Sequence, residues 1–81
     1  MRIDKFLKVS RIIKRRTVAS EACTAGRITL NGRTAKAGAE VKIGDTVEVS
    51  LGPKKMKFEI LSLSEHVKKD DAAEMYRVLE G

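Results

Sequence analysis

Eighty-one residues and 9.0 kDa leave room for one small domain, in which only about 60–70 % of the chain's surface can be buried. Lys and Arg outnumber Asp and Glu by 17 to 11, a formal charge of +6, and 42 % hydrophobic residues suffice for a packed core rather than wholesale disorder. Such a length excludes a catalytic domain with an accessory module, and binding is the expected activity.

In chain order, residues 2–10 read as an amphipathic helix. Ile3, Phe6, Leu7 and Ser10 follow the i, i+3, i+4, i+7 spacing and share an arc of roughly 100°. Asp4, Lys5 and Lys8 fall on the opposite arc, with Arg2 at its edge. The apolar phase shifts at Val9, Ile12 and Ile13, so the helix is expected to end between residues 10 and 13. Lys14, Arg15 and Arg16 form a short basic connector, and Thr17 is the expected N-cap of a second helix. Val18, Ala19, Ala22, Cys23 and Ala25 supply its small-residue buried face, and Gly26 stops it.

After Gly26 the period changes to two. Ile28 and Leu30 alternate with polar neighbours up to Asn31-Gly32, a strong type I′ hairpin signal, and Arg33 to Ala35 form the return strand. A loop around Gly38 follows, then Val41 and Ile43 alternate into a Gly44-Asp45 turn. Thr46 to Leu51 read as a strand with Val47, Val49 and Leu51 on one face, ended by Gly52-Pro53. Lys57 to Leu63 read as another, whose parity change at Leu61 and Leu63 suggests a bulge or a strand covered on both sides. Asp70 or Asp71 is expected to cap a short helix carrying Ala73, Met75, Tyr76 and Leu79. The fold class is therefore α+β, two packed N-terminal helices on a small, mainly antiparallel sheet, in a single domain over residues 1–81.

Charge is concentrated at one end. Residues 1–36 hold ten basic and two acidic groups, net +8, whereas residues 37–81 hold seven basic and nine acidic groups, net −2. That asymmetry suggests a positive face aimed at a polyanion, and Arg15 and Arg16 crowd like charge with no acidic neighbour in sequence. Other classes lose ground. The N-terminal residues lack the apolar region of a signal peptide, and no run approaches the roughly 18 apolar residues of a membrane span. Cys23 is the one cysteine and His66 the one histidine, too few for an intramolecular disulfide or a zinc site of ordinary type. His66 lies in a polar stretch, and no general-base role is expected of it. The expected protein is cytoplasmic, free of metal and cofactor, non-enzymatic and monomeric.

Several stretches carry a family pattern: Met1 to Leu7, Arg15-Arg16-Thr17, Ala25 to Arg33 and Val41 to Asp45. In this order they resemble the S-four RNA-binding domain over roughly residues 1–50, leaving residues 51–81 as a strand plus a C-terminal helix or tail. Larger members attach this domain to catalytic units absent here. Among stand-alone members the chain is similar to the RqcP and heat-shock protein fifteen family of ribosome-associated quality control. The resemblance implies binding to rRNA and to peptidyl-tRNA on an obstructed large ribosomal subunit. There the domain supports C-terminal tailing of the stalled chain and meets the tailing factor through the ribosome. It also implies that Arg2 and Arg16 fall in RNA-contact motifs.

The residues supply a physical counterpart. Arg2, Asp4, Lys5 and Lys8 on the first helix, Arg11, Lys14, Arg15 and Arg16 at its junction, and Thr17 at the start of the second form the candidate RNA site. Arginine suits phosphate because its planar fork holds two oxygens at once, and a helix N-terminus adds free N–H groups. Arg27 and Arg33 flank Asn31-Gly32, where a small turn permits close approach to RNA. Phe6, Phe58 and Tyr76 are the only aromatics, which favours reading folded RNA by shape and backbone over base stacking.

Each residue has a plainer role to weigh. Asp4 pairs with Lys8 for about 0.2–0.5 kcal/mol, or orients arginines, the second being preferred. Phe6 and Cys23 are read as core, and Met75 and Tyr76 as packing the tail on the sheet. Lys54, Lys55 and Lys57 serve as edge protection or as a second RNA contact. The competing function is an RNA-guide subunit of an rRNA- or tRNA-modifying enzyme, although the sequence offers no large apolar interface for a partner. A membrane-surface binder fits less well, because the first helix is short and lacks a wide bulky apolar face.

Overall fold

Two sequence periods fold into two layers. The computed structural model of the protein describes residues 1–64 and 69–80, so His66 lies outside the described residues. Helix α1 (Ile3–Val9) and helix α2 (Arg16–Thr24) pack on one face of a five-stranded antiparallel sheet. Its strands are β1 (Ile28–Leu30), β2 (Arg33–Thr34), β3 (Thr46–Leu51), β4 (Lys54–Ile60) and β5 (Tyr76–Glu80), in spatial order β2-β1-β3-β4-β5.

The core lies between the layers. Ile3, Phe6 and Leu7 from α1 and Ala19, Ala22 and Cys23 from α2 meet Ile28, Val47, Val49, Phe58 and Ile60 from the sheet. The rings of Phe6 and Phe58 stack 6.1 Å apart, and Tyr76 meets Phe58 edge-on at 5.4 Å. Small residues on α2 allow its backbone to approach closely. Each full burial of a large apolar side chain contributes about 1.5–3 kcal/mol, so this ring-centred cluster dominates the stability of so small a fold.

Local turn chemistry fixes the connections. Asn31 (φ 52°) and Gly32 (φ 84°) both take the positive φ of a type I′ turn, as expected. Gly26, at φ 76°, ends α2: its N–H donates to the Cys23 carbonyl and the Arg27 N–H to the Ala22 carbonyl, a Schellman closure. Gly52, at φ 62°, precedes Pro53 in the tight β3–β4 turn.

Several expectations need correction. Helix α1 ends at Val9, one residue before the expected range of 10 to 13, and the chain leaves it through Arg11 at φ 61°. Asp4 is buried, although the helical wheel put it on the open arc, because α2 and the loop after β2 cover that side. Thr17 is not the N-cap: α2 starts at Arg16 with Arg15 in the cap position and no side-chain cap bond. Thr17 therefore lies inside the first turn, where an N-cap's extended backbone is lost. Val18 is exposed at the edge of the Ala19-Ala22-Cys23 stripe, about 40° outside Ala22, and Ala25 lies exposed past the helix end.

Val41 is buried but Ile43 is 66 % exposed, and no strand forms there. Asp45 Oδ2 accepts the Lys42 N–H at 2.8 Å and folds the segment into a turn. Leu51 is exposed at the far end of β3. Strand β4 begins at Lys54 and ends at Ile60, and the register irregularity falls at Lys57/Phe58 against β5, not at Leu61. The C-terminal helix is a 3-10 turn (Lys69–Met75) that buries Ala72 and Met75, three residues apart as its geometry requires. Tyr76 and Leu79 belong to β5 instead, because Ile60 and Phe58 offer Tyr76 and Val78 a paired edge.

Candidate nucleic-acid interface

The N-terminus is strapped to the loop after β2. The Met1 ammonium meets Glu40 Oε2 at 2.9 Å, and Ile3 N–H donates to the Ala39 carbonyl at 2.8 Å. Arg2 forms an isolated antiparallel bridge with Glu40, and Val41 N–H donates to the Met1 carbonyl. These bonds hold the first turn of α1 and residues 37–41 as one piece.

Asp4 is the centre of the site. Its carboxylate is only 4 % exposed, yet it carries no buried unsatisfied atom among the described residues. Arg2 presents Nε to Oδ1 and Nη2 to Oδ2, each at 3.3 Å, while Arg16 Nε lies 3.4 Å from Oδ2. The Lys5 backbone N–H donates to Oδ1 at 2.8 Å. Arg16 thus has an acidic partner twelve positions back, which reading neighbours in sequence missed. The two arginine side chains remain 51 % and 46 % exposed. Each guanidinium uses one edge on the carboxylate and keeps donors for a ligand. Asp4 orients arginines, and no Asp4–Lys8 pair occurs among the described residues.

The remaining cations surround this pair unequally. Lys8, Arg11, Lys14 and Arg15 are exposed along the end of α1 and the connector, and Thr17 is exposed in the first turn of α2. Lys5 is half-buried on α1. Arg33 and Lys36 stand near Gly38, and a Cβ placed on Gly38 would meet Arg2 Nε at 3.8 Å. Lys36 and Gly38 thereby stand beside the arginine site, where the sequence marks them only as one of the basic residues of the N-terminal half and a loop glycine. Arg27 sits at the opposite end of β1 from the Asn31 turn, where its carbonyl accepts the Ser50 N–H.

Asn31 is occupied internally: its Oδ1 accepts the Thr46 N–H at 2.9 Å and its Nδ2 donates to Asp45 Oδ1 at 3.2 Å. It shapes the turn. Lys54 and Lys55 project from the β3–β4 hairpin beyond the last residue paired with β5, and Lys55 lies 3.7 Å from Glu48. Burial pushes the Cys23 thiol above its ordinary range, with the Asp4 carboxylate adding to the effect, which suits a packed side chain and not a nucleophile. Phe6 and Phe58 are buried and Tyr76 is half-buried against Phe58. No helix among the described residues is long and apolar enough to cross a membrane.

This arrangement can hold phosphates on rigid arginines. Comparison with known proteins shows which family the chain resembles. The S4 domain matches residues 1–47. The RQC P-site tRNA stabilizing factor of Halalkalibacterium halodurans is 54 % identical over 78 residues, covering 96 % of this chain and 89 % of that one. The trimeric structure of Vibrio cholerae heat shock protein 15 has a TM-score of 0.89 at 28 % identity, covering 96 % of this chain and 80 % of that one. The solution structure of the hypothetical protein HP1423 has a TM-score of 0.83 at 35 % identity, covering 100 % of this chain and 99 % of that one. With half its length in that domain and nearly all of it aligned to those relatives, the chain belongs to the S4-domain family and, within it, to the RQC P-site tRNA stabilizing factors.

Proposed function

We propose that this chain is a non-enzymatic cytoplasmic factor that binds rRNA and P-site tRNA on the obstructed large ribosomal subunit and so supports C-terminal tailing of the stalled chain. The observation that carries the reading is the Arg2–Asp4–Arg16 cluster, two half-exposed guanidiniums fixed on one buried carboxylate. Cations on fixed supports lose little freedom when they meet phosphate. Lys5, Lys8, Arg11, Lys14, Arg15 and Arg33 add attraction around them, Arg27 adds charge from the end of β1 away from the Asn31 turn, and Thr17 lies in the first turn of α2. Asn31 acts by shaping its turn. Residues 1–81 act as one domain, a reading supported by a core cluster that runs from Ile3 to Met75. One copy carries the whole cluster, so the working unit is a monomer, which light scattering on the purified chain tests.

Co-sedimentation with large ribosomal subunits through a sucrose gradient tests the function. Arg2→Ala and Arg16→Ala are each expected to cost about 1–3 kcal/mol in binding, the scale of a hydrogen bond to a charged group. The triple Lys54/Lys55/Lys57→Ala variant is expected to stay bound, with circular dichroism confirming each fold. If about five phosphates are neutralised, log K against log salt falls with a slope of roughly −3 to −5. Loss of the triple variant with retention of the two arginine variants overturns the placement of the face. Migration in a discrete protein complex away from the subunit overturns the function.

A further inference from the structure

Beside the arginine pair, a groove of about 680 Å³ opens between β2 and the loop that follows it. That size is within the usual range for small-ligand sites, about 300–1,000 Å³. Leu30, Ala35 and Ala39, buried or half-buried, give it apolar walls, and exposed Arg33 and Lys36 stand at its rim. At the Gly38 end lies the Arg2 guanidinium, whose Nε and Cζ are 3.8 and 3.9 Å from where a Cβ would stand. Among the described residues, no acidic side chain lines the groove. An apolar hollow ringed by three cations fits a flat uncharged group attached to an anionic backbone.

The occupant can be narrowed. A peptide adding a strand needs a long free edge, and β2 offers two residues. The groove is also continuous with the proposed RNA face, because Arg2 belongs to both. An RNA base outside its stack needs a surface to replace its lost neighbours, and proteins supply aromatic rings or arginine planes for that purpose. Phe6 and Phe58 are committed to the core and Tyr76 packs on Phe58, so the groove and Arg2 are the surface left for the task.

We propose that the groove holds a single extruded nucleobase of the bound RNA, with the flanking phosphates on Arg33 and Lys36 and the Arg2 guanidinium against the base. This rests on the RNA-binding reading above and adds that the RNA is recognised at an unpaired nucleotide.

Two RNA hairpins test it, identical except that one carries a single bulged 2-aminopurine. Each is titrated into the full chain, with anisotropy for affinity, 2-aminopurine fluorescence for the bulge, and NMR of the protein for location. The bulged hairpin is expected to bind at least about fivefold more tightly, given the usual worth of holding one base, and to move the Leu30, Ala35 and Ala39 methyl signals. The paired hairpin moves only the 14–17 amides. Ala39→Leu, which fills the groove without removing a cation, cancels the preference. Equal affinities with still groove methyls, while the 14–17 amides shift, overturn the base site and leave RNA binding standing. Silence of both regions with both hairpins overturns the two together. Movement of the groove methyls by an acidic peptide and not by the bulged hairpin overturns the base site in favour of a protein partner.

Discussion

Replacing Asp4 by Asn raises the formal charge of the chain from +6 to +7, and on charge alone it should tighten binding to RNA. The structure predicts the opposite. Removing one buried carboxylate, taken as about 8 Å from a phosphate, relieves about 2 kcal/mol of repulsion at the effective dielectric of a protein surface, which salt screening over a similar distance cuts to roughly 1 kcal/mol. Against this, the side chains of Arg2 and Arg16 lose the carboxylate that faces Nε and Nη2 of one and Nε of the other at 3.3–3.4 Å. Each must then be immobilised on binding, at about 0.5–1.5 kcal/mol per side chain. The net expectation is weaker binding by roughly 1 kcal/mol, about fivefold. Folding should change little. Asn keeps an oxygen for the Lys5 N–H, and two half-exposed ion pairs contribute only about 0–1 kcal/mol each, offset by no longer burying a charge. The assay is binding to purified large subunits at fixed ionic strength, with thermal melting as the fold control. Equal or tighter binding by a folded Asp4→Asn variant refutes the positioning role.

Three further perturbations probe the same region. The double variant Arg2→Ala/Arg16→Ala orphans the buried carboxylate that each single variant leaves paired, so its loss of stability in urea should exceed the sum of the singles by about 1–3 kcal/mol; additivity refutes a shared partner. Arg11→Gly relieves a non-glycine residue at φ 61° and should stabilise the fold by about 1 kcal/mol in the same assay while weakening RNA binding through a lost cation. The raised thiol pKa of Cys23 makes the folded chain hold its proton more tightly than the unfolded chain does. That contribution is full below the unfolded thiol value, near pH 8.5, and is lost as pH climbs through the folded value, so Cys23→Ala should show a flatter alkaline decline. Matching slopes above about pH 8.5 would count against it.

What was legible in the sequence is what local chemistry decides. Asn31-Gly32 specified its own turn because few residue pairs accept positive φ twice, and Gly26 closed α2 for a related reason. The Ile3-Phe6-Leu7 and Val47-Val49 patterns placed the core because each period has one buried face. What failed depends on partners far along the chain. Strand β5 exists through its register with β4, Tyr76 against Ile60 and Val78 against Phe58, and its own residues carry no alternation strong enough to announce it. Ile43 looked like a strand residue until Asp45 drew the Lys42 N–H into a turn.

The site was legible in its cations and opaque in its anion. A helical wheel places Asp4 by the axis of α1 alone, where it shares an arc with Lys5 and Lys8, and cannot see that α2 and the 37–41 loop cover that arc at Asp4 while leaving Lys8 exposed. The covering is specific: Asp4 N–H donates to the Ala37 carbonyl at 3.4 Å, Ile3 N–H to that of Ala39, and Arg16 arrives from the first turn of α2. A negative charge within the positive half of the chain lowers its net attraction for a polyanion, so attraction alone gives no reason for it. Orientation does. Salt-screened attraction brings RNA near, but holding a phosphate requires a guanidinium already facing it, and a buried carboxylate fixes two guanidiniums at once. Lys54 and Lys55 carry the same charge on a hairpin with no such anchor, Lys55 reaching Glu48 at 3.7 Å through a side chain 73 % exposed. Counting charge therefore finds the face, and only the position of Asp4 tells which cations on it are set to hold a ligand.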